Sequence, residues 1–182
     1  MNTEILHANL LKIKGIGVLL IGDSGVGKSD ASLALIERGH SLVADDQVEL
    51  YTYRQKLHGR ALKPYQPFLH IPNIGMINVT KQYGAKALSL KTEIHLIINM
   101  NNRWQSPDNI DLIDDEITLL DRPIPCVTLT ACQDRQLASL IEAATGSFIL
   151  LKKGYNAAIE FTERQRIEMN KPHKAHKDTS SS

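Results

Sequence analysis

The first long apolar stretch, "NLLKIKGIGVLLIG", consists of two runs separated by Lys14 and Gly15. That spacing predicts a short hairpin feeding a strand from Val18 to Ile21. The strand is apolar on both faces, which places it in the middle of a sheet. From Ser29 to Arg38, Ala31, Ala34 and Leu35 recur at helical spacing, and Gly39 is a natural left-handed residue just past a helix. "SLVADDQVEL" returns to strand character, with Leu42, Val43 and Ala44 running into Asp45 and Asp46. The order is strand, glycine loop, helix, strand.

The pattern weakens from Leu57 to Pro72, where "LHGRALKPYQPFLHIP" carries three prolines and no clear period. An extended loop is expected there. "GMINVTKQYGAKAL" predicts a strand or short helix, "EIHLIINM" a buried strand and "PIPCVTLT" another strand. Gln133 to Ala144 carries Leu137, Leu140, Ile141 and Ala144 on one face and predicts an amphipathic helix that stops near Gly146. "SFILLKKGYNAAIEF" reads as a mixed strand and helix end. From about Gln165 the chain is polar without an apolar face, so the expectation is one catalytic domain over 1–164 and a disordered tail over 165–182.

Composition narrows the function classes. A chain of 182 residues with 42% hydrophobic content can build one core. Lysine and arginine total 21 against 20 acids, which excludes a basic field that gathers nucleic acid. An anionic ligand must therefore be held locally. Cys126 and Cys132 lack metal or redox spacing and are expected to stay reduced. No apolar stretch approaches a membrane span, and "MNTEILHANLL" lacks the flank and core of a signal peptide, so a cytoplasmic protein with no membrane contact is expected.

The most specific local signal is "GDSGVGKSD". Gly22, Gly27, Lys28 and Ser29 fit the Walker A pattern, with Asp23, Ser24, Gly25 and Val26 between them. Glycines let backbone N–H groups approach phosphate oxygens, lysine supplies a point charge, and the following helix offers its positive end. Ser29 is suited to a magnesium ion that bridges phosphate oxygens. A nucleotide partner is the expectation.

Asp45 and Asp46 follow this helix. One acid can anchor metal, as Asp45 with Ser29, while the other accepts a proton from an attacking hydroxyl. Neighbouring side chains in a strand point to opposite faces, so both reach one site only if the chain bends. His7 stands fifteen residues before Gly22. Nothing local to "ILHANL" demands a catalytic histidine, and His40 beside Gly39 reads as a helix-end cap.

The stretch "GIGVLLIGDSGVGKSDASLALIERGHSLVADDQVEL" resembles the nucleotide-binding core of bacterial HPr kinase/phosphorylase, and weaker similarity runs through "IGMINV", "YGAKAL", "PIPCVTL" and "GYNAAIEF". The resemblance covers roughly residues 7 to 162. It implies an α/β fold with a P-loop core and mixed central sheet, similar to phosphoenolpyruvate carboxykinase. It also implies a hexamer that uses ATP, or pyrophosphate, with Mg to phosphorylate a serine of HPr, the phosphocarrier of the sugar phosphotransferase system, and that removes the phosphoryl group with inorganic phosphate. On this sequence the family's catalytic histidine falls at His7, its phosphate and magnesium positions at Lys28 and Ser29, and its acid pair at Asp45 and Asp46.

The chain departs from that pattern in places. Where the family reads a glutamate and an arginine, it has His70 and Pro72. The family's later catalytic arginine has only Arg103 and Arg122 as candidates, and its glycine-arginine-asparagine segment appears as Asp134, Arg135 and Gln136. Two other readings stand beside an HPr kinase: a P-loop kinase or NTPase with another acceptor, and a nucleotide-sensing regulator without turnover.

Overall fold

The computed structural model describes residues 3–63, 65–102, 113, 115–131 and 136–170. Cys132, Arg103, Asp134 and Arg135 lie outside them.

The predicted hairpin forms from β2 (Asn9–Ile13) and β3 (Ile16–Gly22), and Lys14 and Gly15 turn between them with φ of 51° and 85°. β3 is indeed internal: the six-stranded sheet runs β11 (Asp115–Leu119), β12 (Arg122–Thr130), β10 (Leu96–Asn101), β3, β2 and β4 (Ser41–Ala44). β3 is parallel to β10 and β10 to β12, whereas β11, β2 and β4 pair antiparallel, so this central sheet is mixed. The crossover from β3 to β4 puts α1 (Lys28–Glu37) on one face of this sheet, and α3 (Leu137–Lys152), which follows the last strand, packs beside it. There α1 and α3 cover Val18, Leu20, Leu96 and Ile98 with Leu35, Ile141 and Phe148. Gly39 takes the expected left-handed φ, at 92°.

The alternate side chains of the same strands, Leu10, Leu19, Val43 and Ile97, face a second sheet. That sheet has the order β1 (Thr3–His7), β5 (Gln47–Tyr53), β6 (Lys56–Ala61), β9 (Lys91–Glu93) and sends in Val48, Leu50, Leu57 and Ala61. Three layers result: helices, mixed sheet, antiparallel sheet. The stretch from Leu57 to Pro72 is therefore not a loop, because it holds most of β6 and all of β7 (Phe68–Ile71). β7 pairs with β8 (Gly75–Asn78) as a separate hairpin, followed by α2 (Val79–Tyr83). Its Leu69 and Ile71 are buried against the helix-side core, and burial overrides the proline signal.

α3 does not stop near Gly146 but continues to Lys152, since Phe148 on the next turn is buried. α4 (Ala157–Met169) passes Gln165, where the polar tail was expected to begin, and exposes or half-exposes every side chain. His173 and His176 lie outside the described residues. No described helix is long and apolar enough to cross a membrane.

Candidate active site

The loop from Gly22 to Gly27 leaves the carboxyl end of β3 and turns straight into α1, whose first residue is Lys28. Val26 buries its side chain and anchors the loop, while Asp23, Ser24 and Gly25 stay exposed. Lys28 folds back under the loop: its Nζ donates to the Gly22 carbonyl at 2.7 Å and the Asp23 carbonyl at 3.1 Å. Burial lowers the Lys28 pKa, opposed by the charges of Asp46, Asp23 and Asp45. Lys28 opens α1, so its cation and the free N–H groups at the positive end of the helix favour anionic oxygens, against the nearby acids.

The two acids occupy the junction of β4 and β5, where the chain crosses from one sheet to the other. Asp46 has φ of 64°, and the Gln47 N–H reaches the Asp45 carbonyl at 2.7 Å, closing a three-residue turn. This is the bend that two adjacent acids need to serve one site. A non-glycine residue held at positive φ is strained, and such strain clusters at functional sites.

Their environments differ. Asp45 accepts from Asn9 Nδ2 at 2.8 Å and Ser29 Oγ at 3.3 Å on Oδ1, and from the His70 backbone N–H at 2.9 Å on Oδ2. Burial raises its pKa, against those three hydrogen bonds and with help from the Asp46 charge. Asp46 is open to solvent, and its Oδ1 lies 3.0 Å from His7 Nδ1.

His7, Lys28, Ser29, Asp46 and His70 line one cleft of about 290 Å³, together with Asn9, Ser24, Gly25, Gly27, Asp30 and Pro72. Of the residues expected to be catalytic, His7, Lys28 and Asp46 line this cleft, and Asp45 lies directly behind it, bonded to Asn9 and Ser29. The oxygen donors Ser29 Oγ and Asp45 Oδ1 converge, with the Asp46 carboxylate nearby, and suit a hard cation such as magnesium. A cation there would also offset the desolvation of Asp45.

His40, read as a helix-end cap, closes the end of α1 through its N–H, which donates to the Leu35 carbonyl at 3.1 Å, and its side chain joins α1 to α3: Nε2 is 2.7 Å from Glu142 Oε1, beside an Arg38 to Glu142 contact of 2.6 Å. One expectation falls elsewhere. Arg122 opens β12, whose opposite end, Thr130, pairs with Asn101 next to the Gly22 loop. Eight strand steps, roughly 26 Å, separate it from that end. Sequence reasoning missed Asn9 and the backbone of His70. Asn9 had one visible signal, a lone polar residue ahead of an apolar run; a backbone donor has none.

The family model described as HPr Serine kinase C-terminal domain matches residues 1–165. The HPr kinase/phosphorylase of Brevibacillus brevis is 38% identical over 167 residues, covering 90% of this chain and 53% of that protein. HPr kinase/phosphorylase 1 of Oceanobacillus iheyensis is 41% identical over 166 residues, covering 87% of this chain and 52% of that protein. The chain thus spans about half the length of these relatives. The solved structure of the Hpr(Ser) kinase/phosphatase from Coxiella burnetii superposes with a TM-score of 0.79 at 32% identity, covering 87% of this chain and 98% of that one.

Proposed function

The chain belongs to the HPr serine kinase C-terminal domain family, and from that premise we propose that it is an ATP-dependent protein kinase that phosphorylates a serine of HPr, with residues 1–164 as the catalytic unit. The observation that carries this reading is the convergence of Lys28, Ser29 and the Asp45–Asp46 turn with His7 on one cleft. The loop from Gly22 to Gly27 acts as a P-loop, in a core of the phosphoenolpyruvate carboxykinase type. The family also implies a cytoplasmic hexamer.

The different surroundings of the two acids divide the work. Asp46, exposed to the cleft and paired with His7, takes the proton of the acceptor hydroxyl as its oxygen attacks the terminal phosphorus of ATP. The bond from that phosphorus to the bridging oxygen breaks and ADP leaves. Lys28 spends two of its three donors on loop carbonyls and keeps a third for a phosphate oxygen. Ser29 and Asp45 would hold magnesium, which screens phosphate charge when bound. In the reverse direction, an oxygen of inorganic phosphate held by the same loop attacks the phosphorus of the phosphoserine, pyrophosphate forms and leaves, and protonated Asp46 returns its proton to the departing serine oxygen.

The test is transfer of labelled phosphate from ATP with magnesium onto purified HPr by wild type, D46N and K28A. Robust transfer that both substitutions abolish supports the reading. Nucleotide binding through Lys28 without transfer to HPr would move the search to another acceptor.

A further inference from the structure

Asn9 is 1% exposed, yet all of its amide is engaged. Its Nδ2 donates to Asp45 Oδ1 at 2.8 Å and to Ser32 Oγ at 3.0 Å, and its Oδ1 accepts from the Asp46 N–H at 3.2 Å. Ser32 in turn donates to the Lys28 carbonyl at 2.8 Å, inside the first turn of α1. One side chain therefore touches the buried acid, the backbone of the exposed acid and the helix that carries Lys28 and Ser29.

The reason lies in the corner between the sheets. His7, Ala8 and Asn9 carry the chain from β1 to β2 just where Asp45, Asp46 and Gln47 carry it from β4 to β5, and the Ala8 N–H donates to the Asp46 carbonyl at 3.2 Å. The positive φ of Asp46 turns its own N–H out of the ladder, and Asn9 Oδ1 takes the place of the missing backbone acceptor. An apolar residue of the same size would fill the space and leave Asp45 short of a donor and the Asp46 N–H without an acceptor.

We propose that Asn9 is a positioning residue of the phosphotransfer site: it sets the distance and orientation of both acids relative to the phosphate-loop helix, and so governs how well the site takes a metal-bound nucleotide. This rests on the nucleotide reading above. It predicts a defect mainly in the metal-dependent part of binding, because Asn9 bonds both acids directly and reaches Lys28 only at its backbone carbonyl, through Ser32.

Asn9→Leu, nearly isosteric, and Asn9→Ser, which is smaller and cannot overpack, test it in the full chain. ATP affinity is titrated with excess EDTA and with magnesium, and hydrogen exchange of the Asp46 amide is followed without ligand. The expected result is wild-type ATP affinity in EDTA, a magnesium-dependent gain reduced about 10- to 100-fold in Asn9→Leu, and faster exchange at Asp46. Asn9→Ser gives the answer if the leucine variant does not fold. A magnesium gain equal to wild type in a folded variant overturns the positioning role alone. A wild type that binds no ATP with or without magnesium overturns the nucleotide reading, and one that binds ATP but gains nothing from magnesium overturns the positioning role alone.

Discussion

His7 Nδ1 lies 3.0 Å from Asp46 Oδ1 although His7 ends β1 and Asp46 lies in the turn between β4 and β5, because β1 and β5 pair in register with His7 opposite Gln47, the residue after Asp46. The histidine orients the carboxylate that faces the cleft, so the two substitutions should differ in depth. On the proposed mechanism D46N removes the base and should lower kcat by about 10²- to 10⁴-fold. H7A removes only its support and is expected to cost about 10-fold to 100-fold in kcat, with the KM for ATP unchanged. Steady-state kinetics on HPr checks both; a larger loss in H7A than in D46N would reverse the roles.

Asp45 makes stability depend on pH. Its pKa is raised by burial above the ordinary 3.8, so the folded chain keeps this proton to higher pH than the unfolded chain does. Below that ordinary value both states are protonated and the group contributes nothing. As pH rises from the ordinary value towards the raised folded value, the unfolded chain gives up its proton while the folded chain keeps it and stability falls; above the folded value the penalty is constant. D45N cannot ionise. Its melting temperature relative to wild type, measured without metal, should therefore climb from about pH 4 to about pH 7. A constant difference across that range would mean that Asp45 is not desolvated.

Two glycines of the loop are fixed for different reasons. A Cβ on Gly22 would sit 2.2 Å from the Met100 carbonyl oxygen, on the neighbouring strand, and the residue also has φ of 141°. A Cβ on Gly25 would meet nothing within 4 Å and suffers only from φ of 79°. Gly25→Ala should cost about 1–2 kcal/mol, whereas Gly22→Ala must push β3 from β10 and should cost about 3 kcal/mol or more. Urea denaturation of the two variants ranks them.

The helix layer is tied by Glu142, which accepts from Arg38 and meets His40. Hydrogen bonding from His40, then from Arg38, lowers the Glu142 pKa, so its stabilisation is present at neutral pH and is lost as pH falls through the folded value. All three side chains are partly open to solvent, which limits the effect. E142Q should lower stability by about 1 kcal/mol at pH 7 and by less in acid. Chemical denaturation at the two pH values reads it.

The core from Gly15 to Leu50 was legible because each of its signals is local: an apolar strand, a glycine loop, a helix ended by Gly39, and a second strand. The β5–β6 hairpin was not. Val48 and Leu50, then Leu57 and Ala61, do alternate with polar residues, but the turn between them uses Arg54 and Gln55 at φ of 48° and 62°. Neither is a glycine or asparagine, so the usual turn mark is missing. Gly146 misled in the opposite sense, since a glycine with ordinary helical neighbours does not end a helix whose next turn buries Phe148. In the site, the residue types were readable and their convergence was not. It depends on the bend at Asp46 and on two sheet crossings brought together by pairing between β1 and β5.

His70 offers a change in the other direction. The family resemblance puts a glutamate at this position, whereas here an imidazole lines the cleft. Its tie to Asp45 runs through the backbone N–H, so exchanging the side chain leaves that 2.9 Å hydrogen bond in place. Magnesium prefers oxygen to imidazole nitrogen. H70E therefore adds a carboxylate beside Ser29 and Asp45 without disturbing the anchor of Asp45. The magnesium concentration that gives half-maximal transfer should fall by about tenfold, because affinity for such cations follows the number of charged oxygen ligands. Added negative charge also repels nucleotide phosphates, so ATP affinity in EDTA should weaken at the same time. A magnesium titration of transfer at saturating ATP, paired with ATP binding in EDTA, separates the two effects. If the magnesium requirement does not fall while ATP binding weakens, the side chain at 70 faces phosphate instead of metal.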